Sequence, residues 1–153
     1  MGDRVKAGLI QIADALADQI RNVTEQVDGI DIQVERGFVI NPTPPTVDIY
    51  FGDVARDALS AAFDDVSGAY IFTVRARAAT ADVDAGMELL WRFADDTDDL
   101  CLAVAILDEP TLNGYASSVD VRDFTGLRGY EHVSGEGFYL GFQFSVWVIP
   151  AES

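Results

Sequence analysis

The chain reads as an α+β domain: a mainly antiparallel or mixed sheet of about five strands, with two main helices packed on one face. The expected order is α-β-β-β-α-α-β-β. Three observations predict it. Apolar residues recur at steps of three and four in two separate stretches, which is the helical period. Elsewhere they alternate strictly, which is the strand period. The strands follow one another through hairpin-like connections, which favours antiparallel neighbours. Each amphipathic helix must cover one apolar face, and one face of the sheet is the natural place for both.

The first helix is expected over 4–26. Val5, Leu9, Ile12, Leu16, Ile20, Val23 and Val27 form its apolar face, and Asp14, Asp18, Arg21 and Glu25 the polar one. Asp3 is the expected N-cap and Gly29 the stop. Gly8 inside it costs about 1 kcal/mol relative to alanine. Ile30, Ile32 and Val34 then alternate with Asp31, Gln33 and Glu35 as a first strand, with Phe38 to Ile40 as its continuation. Pro42, Pro44 and Pro45 exclude a central strand and mark a loop. Val47, Ile49 and Phe51 alternate beyond it as a second strand, so the pair reads as a hairpin. Residues 52–68 are compatible with a helix or an ordered loop.

Tyr70, Phe72, Val74 and Ala76 alternate with Ile71, Thr73, Arg75 and Arg77 in a clear strand. A helix over 82–95 follows, with Val83, Met87, Leu90, Trp91 and Ala94 on one face and Thr80 or Asp82 as cap. The run Asp95-Asp96-Thr97-Asp98-Asp99 breaks it, and Leu100–Leu107 is a short apolar helix before Pro110. Residues 111–136 are rich in Gly, Ser and Asp, with a strand at Val119 and Val121. The last strand runs from Phe138 to Pro150, with Phe138, Leu140, Phe142, Phe144, Val146 and Val148 on one side and Tyr139, Gly141, Gln143, Ser145 and Trp147 on the other.

One domain is expected over residues 1–153, the length of an ordinary single domain. No run of apolar residues is long enough to span a membrane, and Asp3, Asp14 and Asp18 interrupt any signal-peptide pattern. Cys101 is the only cysteine, so no internal disulfide forms. Twenty-six acids against ten bases give a net charge of −16. This disfavours binding to a nucleic-acid backbone or an anionic membrane, both of which need clustered Lys and Arg. The skew suits a GC-rich genome or a salt-loving host. Nine of the acids, against Arg92 alone, fall in 82–109, so half the net charge sits there.

Signatures of catalysis are nearly absent. His132 is the only histidine, which excludes a histidine-based metal cluster. A nucleophilic pair would require Cys101 to meet His132, and a cysteine in an apolar helix is usually a small hydrophobe. Asp95, Asp96, Asp98 and Asp99 could hold a hard cation, although they lack an EF-hand pattern and read more simply as a solvated acidic junction. Residues 135–141 have the wrong glycine spacing for a dinucleotide loop. The Asn22-Val23-Thr24 sequon falls within a helix. No cofactor is expected.

Interaction is better supported. Tyr139 and Trp147 put aromatic rings on the second face of the last strand, which implies a covered surface, either under the helices or against a partner. Arg75 and Arg77 share one strand face in a very acidic chain and are candidates to pair with acids of the same chain or of a neighbour. The stretches 41–46 and 111–136 are long connections for a small domain.

The layout resembles the tail terminator, or tail completion, proteins of long-tailed bacteriophages. The resemblance rests on the long N-terminal amphipathic helix, the strand pair, Tyr70-Ile71-Phe72-Thr73-Val74-Arg75-Ala76-Arg77 leading into the 82–95 helix, a variable loop, and the closing Gly137–Ile149 strand. It covers most of the chain and carries no diagnostic motif. It implies a homo-hexameric ring that caps the head-proximal end of the tail tube, stops its growth and docks to the head–tail connector or stopper protein. DNA passes through the ring without specific binding, and the protein resides in the virion at the tail–neck junction. The family has no catalytic residues. The resemblance makes Arg75, Arg77, Tyr139 and Trp147 candidates for the subunit interface. It makes Asp95, Asp96, Asp98 and Asp99 part of an acidic surface, either lining the lumen, where it would keep DNA off the wall, or lying on the outer rim. The competing readings are another neck component or a tail-tube subunit, a small-molecule-binding or enzymatic α+β domain, and an unrelated halophilic protein.

Overall fold

A computed structural model describes residues 7–26, 31–37, 39, 45–52, 63–64, 68–78, 83–131 and 138–151. The elements are α1 (Leu9–Thr24), β1 (Gln33–Arg36), β2 (Thr46–Phe51), β3 (Phe63–Asp64), β4 (Ala69–Ala78), α2 (Val83–Ala94), α3 (Leu102–Asp108), β5 (Ala116–Arg122), β6 (Arg128–Glu131) and β7 (Phe138–Pro150). The fold is α+β, with a mixed sheet and the helices packed on it.

The sheet runs β1-β2-β4-β7-β5, with β3 beside β4 and β6 beside β7. Two long strands form its middle. β4 and β7 pair antiparallel from Tyr70–Val148 to Ala78–Leu140. β7 then carries two strands on its other edge, β5 against its C-terminal half and β6 against its N-terminal half. Thr125 bridges the step between them: its N–H donates to the Gln143 carbonyl at 2.9 Å, and its Oγ1 accepts from the Gln143 N–H at 3.0 Å.

The period of two sorts the central strands into two faces. Val47 and Ile49 of β2, Phe72, Val74 and Ala76 of β4, and Phe142, Phe144 and Val146 of β7 lie in register on one face. They share the core with Ile12, Leu16 and Ile20 of α1, Leu90 and Phe93 of α2, and Leu102 and Ile106 of α3. Each such large side chain contributes roughly 1.5–3 kcal/mol by leaving water. All three helices therefore cover this face. Tyr139 and Trp147 are on the opposite face, so the alternative that those aromatics lie under the helices is overturned.

The sequence predicts a β1–β2 hairpin around the proline loop; the structure corrects this. The two strands are parallel, with Val34 opposite Val47 and Arg36 opposite Ile49. Parallel neighbours require the chain to cross back over the sheet. It leaves β1 at Gly37, whose φ of +110° favours glycine. Val39 then rests on the opposite face, which is helix-free among the described residues, its N–H donating to Asp48 Oδ2 at 3.1 Å and its carbonyl accepting from Arg77 Nη2 at 2.7 Å.

Other differences are smaller. α1 begins at Leu9 with Gly8 as its N-cap, where the Gly8 N–H donates to Gln11 Oε1 at 3.0 Å. Gly8 thus stands where glycine is tolerated, not inside the helix. The expected caps Asp3, Thr80 and Asp82 and the stop at Gly29 lie outside the described residues, as do Phe38 and Ile40. The ambiguous 52–68 stretch contributes the short β3, and the Gly-rich 111–136 stretch contributes β6 in addition to β5. Among the described residues, no helix is long and apolar enough to cross a membrane.

Candidate functional site

The helix-free face of the sheet concentrates the unusual chemistry. The same alternation that puts Val47 and Ile49 into the core turns Asp48 and Tyr50 outward, and β4 turns out Thr73, Arg75 and Arg77. Register puts Asp48 directly opposite Arg75 and Thr46 opposite Arg77. Arg75 grips the Asp48 carboxylate with both arms, Nε to Oδ1 at 3.0 Å and Nη2 to Oδ2 at 2.5 Å. Arg77 Nη2 adds a contact to Oδ2 at 3.1 Å. With the Val39 N–H, the carboxylate accepts four donors, and Asp48 is 0% exposed.

Aromatic rings complete the layer. The Arg75 guanidinium lies over the rings of Tyr50 and Tyr130 at 5.4 and 5.5 Å, and that of Arg77 over Tyr139 at 5.8 Å. The Tyr130 hydroxyl donates to Gln143 Oε1 at 2.8 Å. A β-carbon at Gly141, which stands opposite Arg77, would run into the Ala76 carbonyl and the Tyr130 ring. Only glycine lets these groups close up there. Further along β7, Arg122 stacks on Trp147 at 4.2 Å while its Nε pairs with Asp120 at 2.6 Å.

Burial shapes the electrostatics. It pushes the Tyr50 and Tyr130 phenols above their ordinary value of 10.0, against the pull of Arg75 on Tyr50 and of Arg128 on Tyr130. It also lowers Arg77, and the Asp48 charge opposes that shift. Arg77 Nε is buried with no hydrogen-bond partner among the described residues. Among the described residues the layer shows no nucleophile poised by a base. It holds charge against charge and ring against guanidinium, which suits a rigid face.

The structure thus brings Arg75, Arg77, Tyr139 and Trp147 onto one face, but meets both guanidinium charges inside the chain through Asp48. Arg75 and Arg77 are 6% and 4% exposed. Their pairing follows the same-chain alternative. Sequence reasoning missed Asp48, Tyr50, Tyr130 and Gln143. The parity of Asp48 with Tyr50 was visible, but the β2–β4 register that sets it against Arg75 was not.

The acidic junction is separate and exposed. Asp95 accepts from both the N–H and the hydroxyl of Thr97, at 2.9 and 2.7 Å. Asp98 accepts the Leu100 N–H at 2.8 Å and Arg92 Nε at 3.1 Å. These bonds hold both carboxyls below the ordinary value of 3.8, through Thr97 for Asp95 and through the Leu100 N–H and then Arg92 for Asp98. Asp96 and Asp99 face solvent. Among the described residues, no three His, Cys, Asp or Glu side chains converge as metal ligands. Cys101 is buried at the start of α3, and His132 lies outside the described residues.

A polar cleft of about 880 Å³ opens between α1 and α3. Its walls are tied to themselves. Gln19 Nε2 donates to the Ala105 and Glu109 carbonyls at 3.1 and 3.2 Å, and Asp14 and Asp18 pair with Arg36 and Arg21. No protein-family model matches the chain, and no curated protein matches it significantly.

Proposed function

We propose that the protein is a structural virion component of the tail terminator kind. It would form a hexameric ring that caps the head-proximal end of a tail tube, stops tube growth and joins the tube to the head connector while DNA passes through. The observation that carries the reading is the run of elements. A long helix comes first, β4 is followed in sequence by α2, an acidic α2–α3 junction comes next, and the long β7 is the last element. This is the layout of the family that the sequence resembles. Charge supports it too. Every described acid of 82–109 except Asp98 is exposed, so whichever side of a ring they face repels a duplex rather than gripping it. The reading gives the chain an assembly role rather than a catalytic one.

Negative-stain microscopy of the purified protein, alone and mixed with purified tail tubes, tests it. Six-fold rings with a hole as wide as a DNA duplex, or tubes capped at one end, are the expected result. Protein that neither forms rings nor binds tubes would end the reading. The cleft between α1 and α3 would then favour the second one, a small-molecule-binding domain.

A further inference from the structure

The outer face of α2 carries the most exposed large apolar side chain described in this protein. Trp91 is 69% exposed, whereas Leu90 and Phe93 beside it are buried in the core. An indole left in water on an otherwise well-sorted amphipathic helix is unusual, because its burial is worth more than that of almost any other side chain. Its neighbours are one-sided in charge. Asp84, Glu88 and Asp95 fall on the same helical stripe at steps that bring them beside Trp91, and with Met87 and Arg92 they line a groove of about 420 Å³. The single base there is committed elsewhere, since Arg92 Nε pairs with Asp98 at 3.1 Å. Asp84 and Glu88 have no basic partner among the described residues. The intrahelical pairing that usually offsets such acids is therefore missing.

We propose that this stripe docks a basic segment of a partner protein, with an arginine or lysine seated on the Trp91 ring and its charge met by Glu88 and Asp84. A cation over an indole face is the strongest of the cation–π pairs, and flanking carboxylates supply the complementary charge and the steering. Met87 provides an apolar floor for the stem of the incoming side chain. The inference goes beyond the ring reading and does not depend on it. It assigns the α2 face to a protein contact rather than to the path of DNA.

The test is calorimetric titration of the full chain with a capped hexa-arginine peptide at about 0.15 M salt, where interactions between distant surface charges are largely screened. The wild-type chain is expected to bind. Trp91→Ala should weaken binding by roughly two- to thirtyfold, the range for a cation–π contact. Glu88→Gln should weaken it as well. Asp108→Asn removes the same charge from an exposed site on α3 and should leave affinity unchanged. Trp91 is on the surface, so its variant keeps the fold, checked by circular dichroism. Absence of binding by the wild type, wild-type affinity in Trp91→Ala, or equal losses in Asp108→Asn and Glu88→Gln would each overturn the proposal. The last would show that bulk charge alone attracts the peptide.

Discussion

Asp48 is the residue on which the helix-free face depends. Its two oxygens satisfy two guanidiniums and one backbone N–H in a place that water does not reach. Buried ion pairs add little net stability over an apolar replacement of the same shape, but removing one partner strands the other. Asp48→Ala strands two cations, and the expected loss is about 3–5 kcal/mol. A shift of the urea midpoint at unchanged slope reads it directly. A loss below about 1 kcal/mol would mean that the arginines find other partners, or water, without cost. Alternation alone put Arg75 with Arg77 on one face of β4 and Tyr139 with Trp147 on one face of β7; that the two pairs share the same face of the sheet follows from the β4–β7 register. Asp48 could not be singled out, because an acid between Val47 and Ile49 looks like any solvent-facing strand residue. Which acid stands opposite Arg75 is a matter of strand register, which a single strand does not encode.

At the scale of elements, those whose own period is strong were legible: α1, α2, β4 and β7; in α2 the helix was legible but not its buried face, since Trp91 and Ala94, expected on the apolar side, are exposed and Phe93 is buried instead. β3 and β6 were not, since they are short and exist as strands only by pairing with β4 and β7. The parallel β1–β2 pair shows a further limit, because alternation assigns a strand's faces and says nothing of its direction. The α2–α3 junction has a pH signature. Asp98 is bonded to the Leu100 N–H and Arg92, so its carboxyl ionises more readily in the folded chain than in the unfolded one. Its contribution is therefore fully present above the ordinary value of 3.8 and is lost as pH falls through the lower, folded value. Thermal unfolding followed from neutral to acid pH should show a steeper acid decline for the wild type than for Asp98→Asn. Parallel declines would remove Asp98 from the acid limb.

Across the whole molecule, charge repulsion is the main force that the fold leaves unbalanced. A net −16 on a chain of this length makes every exposed acid repel its neighbours. Raising salt from about 0.01 M to about 1 M shortens the screening length from roughly 30 Å to 3 Å. The melting temperature of the isolated protein should rise by several degrees over that range. A flat response would mean that the exposed acids are already spaced widely enough not to interact.

The position of β7 also fixes a sequence of events in time. It pairs with β4, β5 and β6, and it is translated after all three. While the ribosome works through residues 79–137, β4 waits with the apolar side chains of Phe72, Val74 and Ala76 and one open edge. The contacts that close this edge join residues some seventy positions apart, such as Phe72 and Val146. Long-range pairings of this kind form slowly. The nascent chain thus passes through an interval in which a long, largely apolar strand has only one of its two mates, and crowding or premature arrest in that interval favours aggregation over folding.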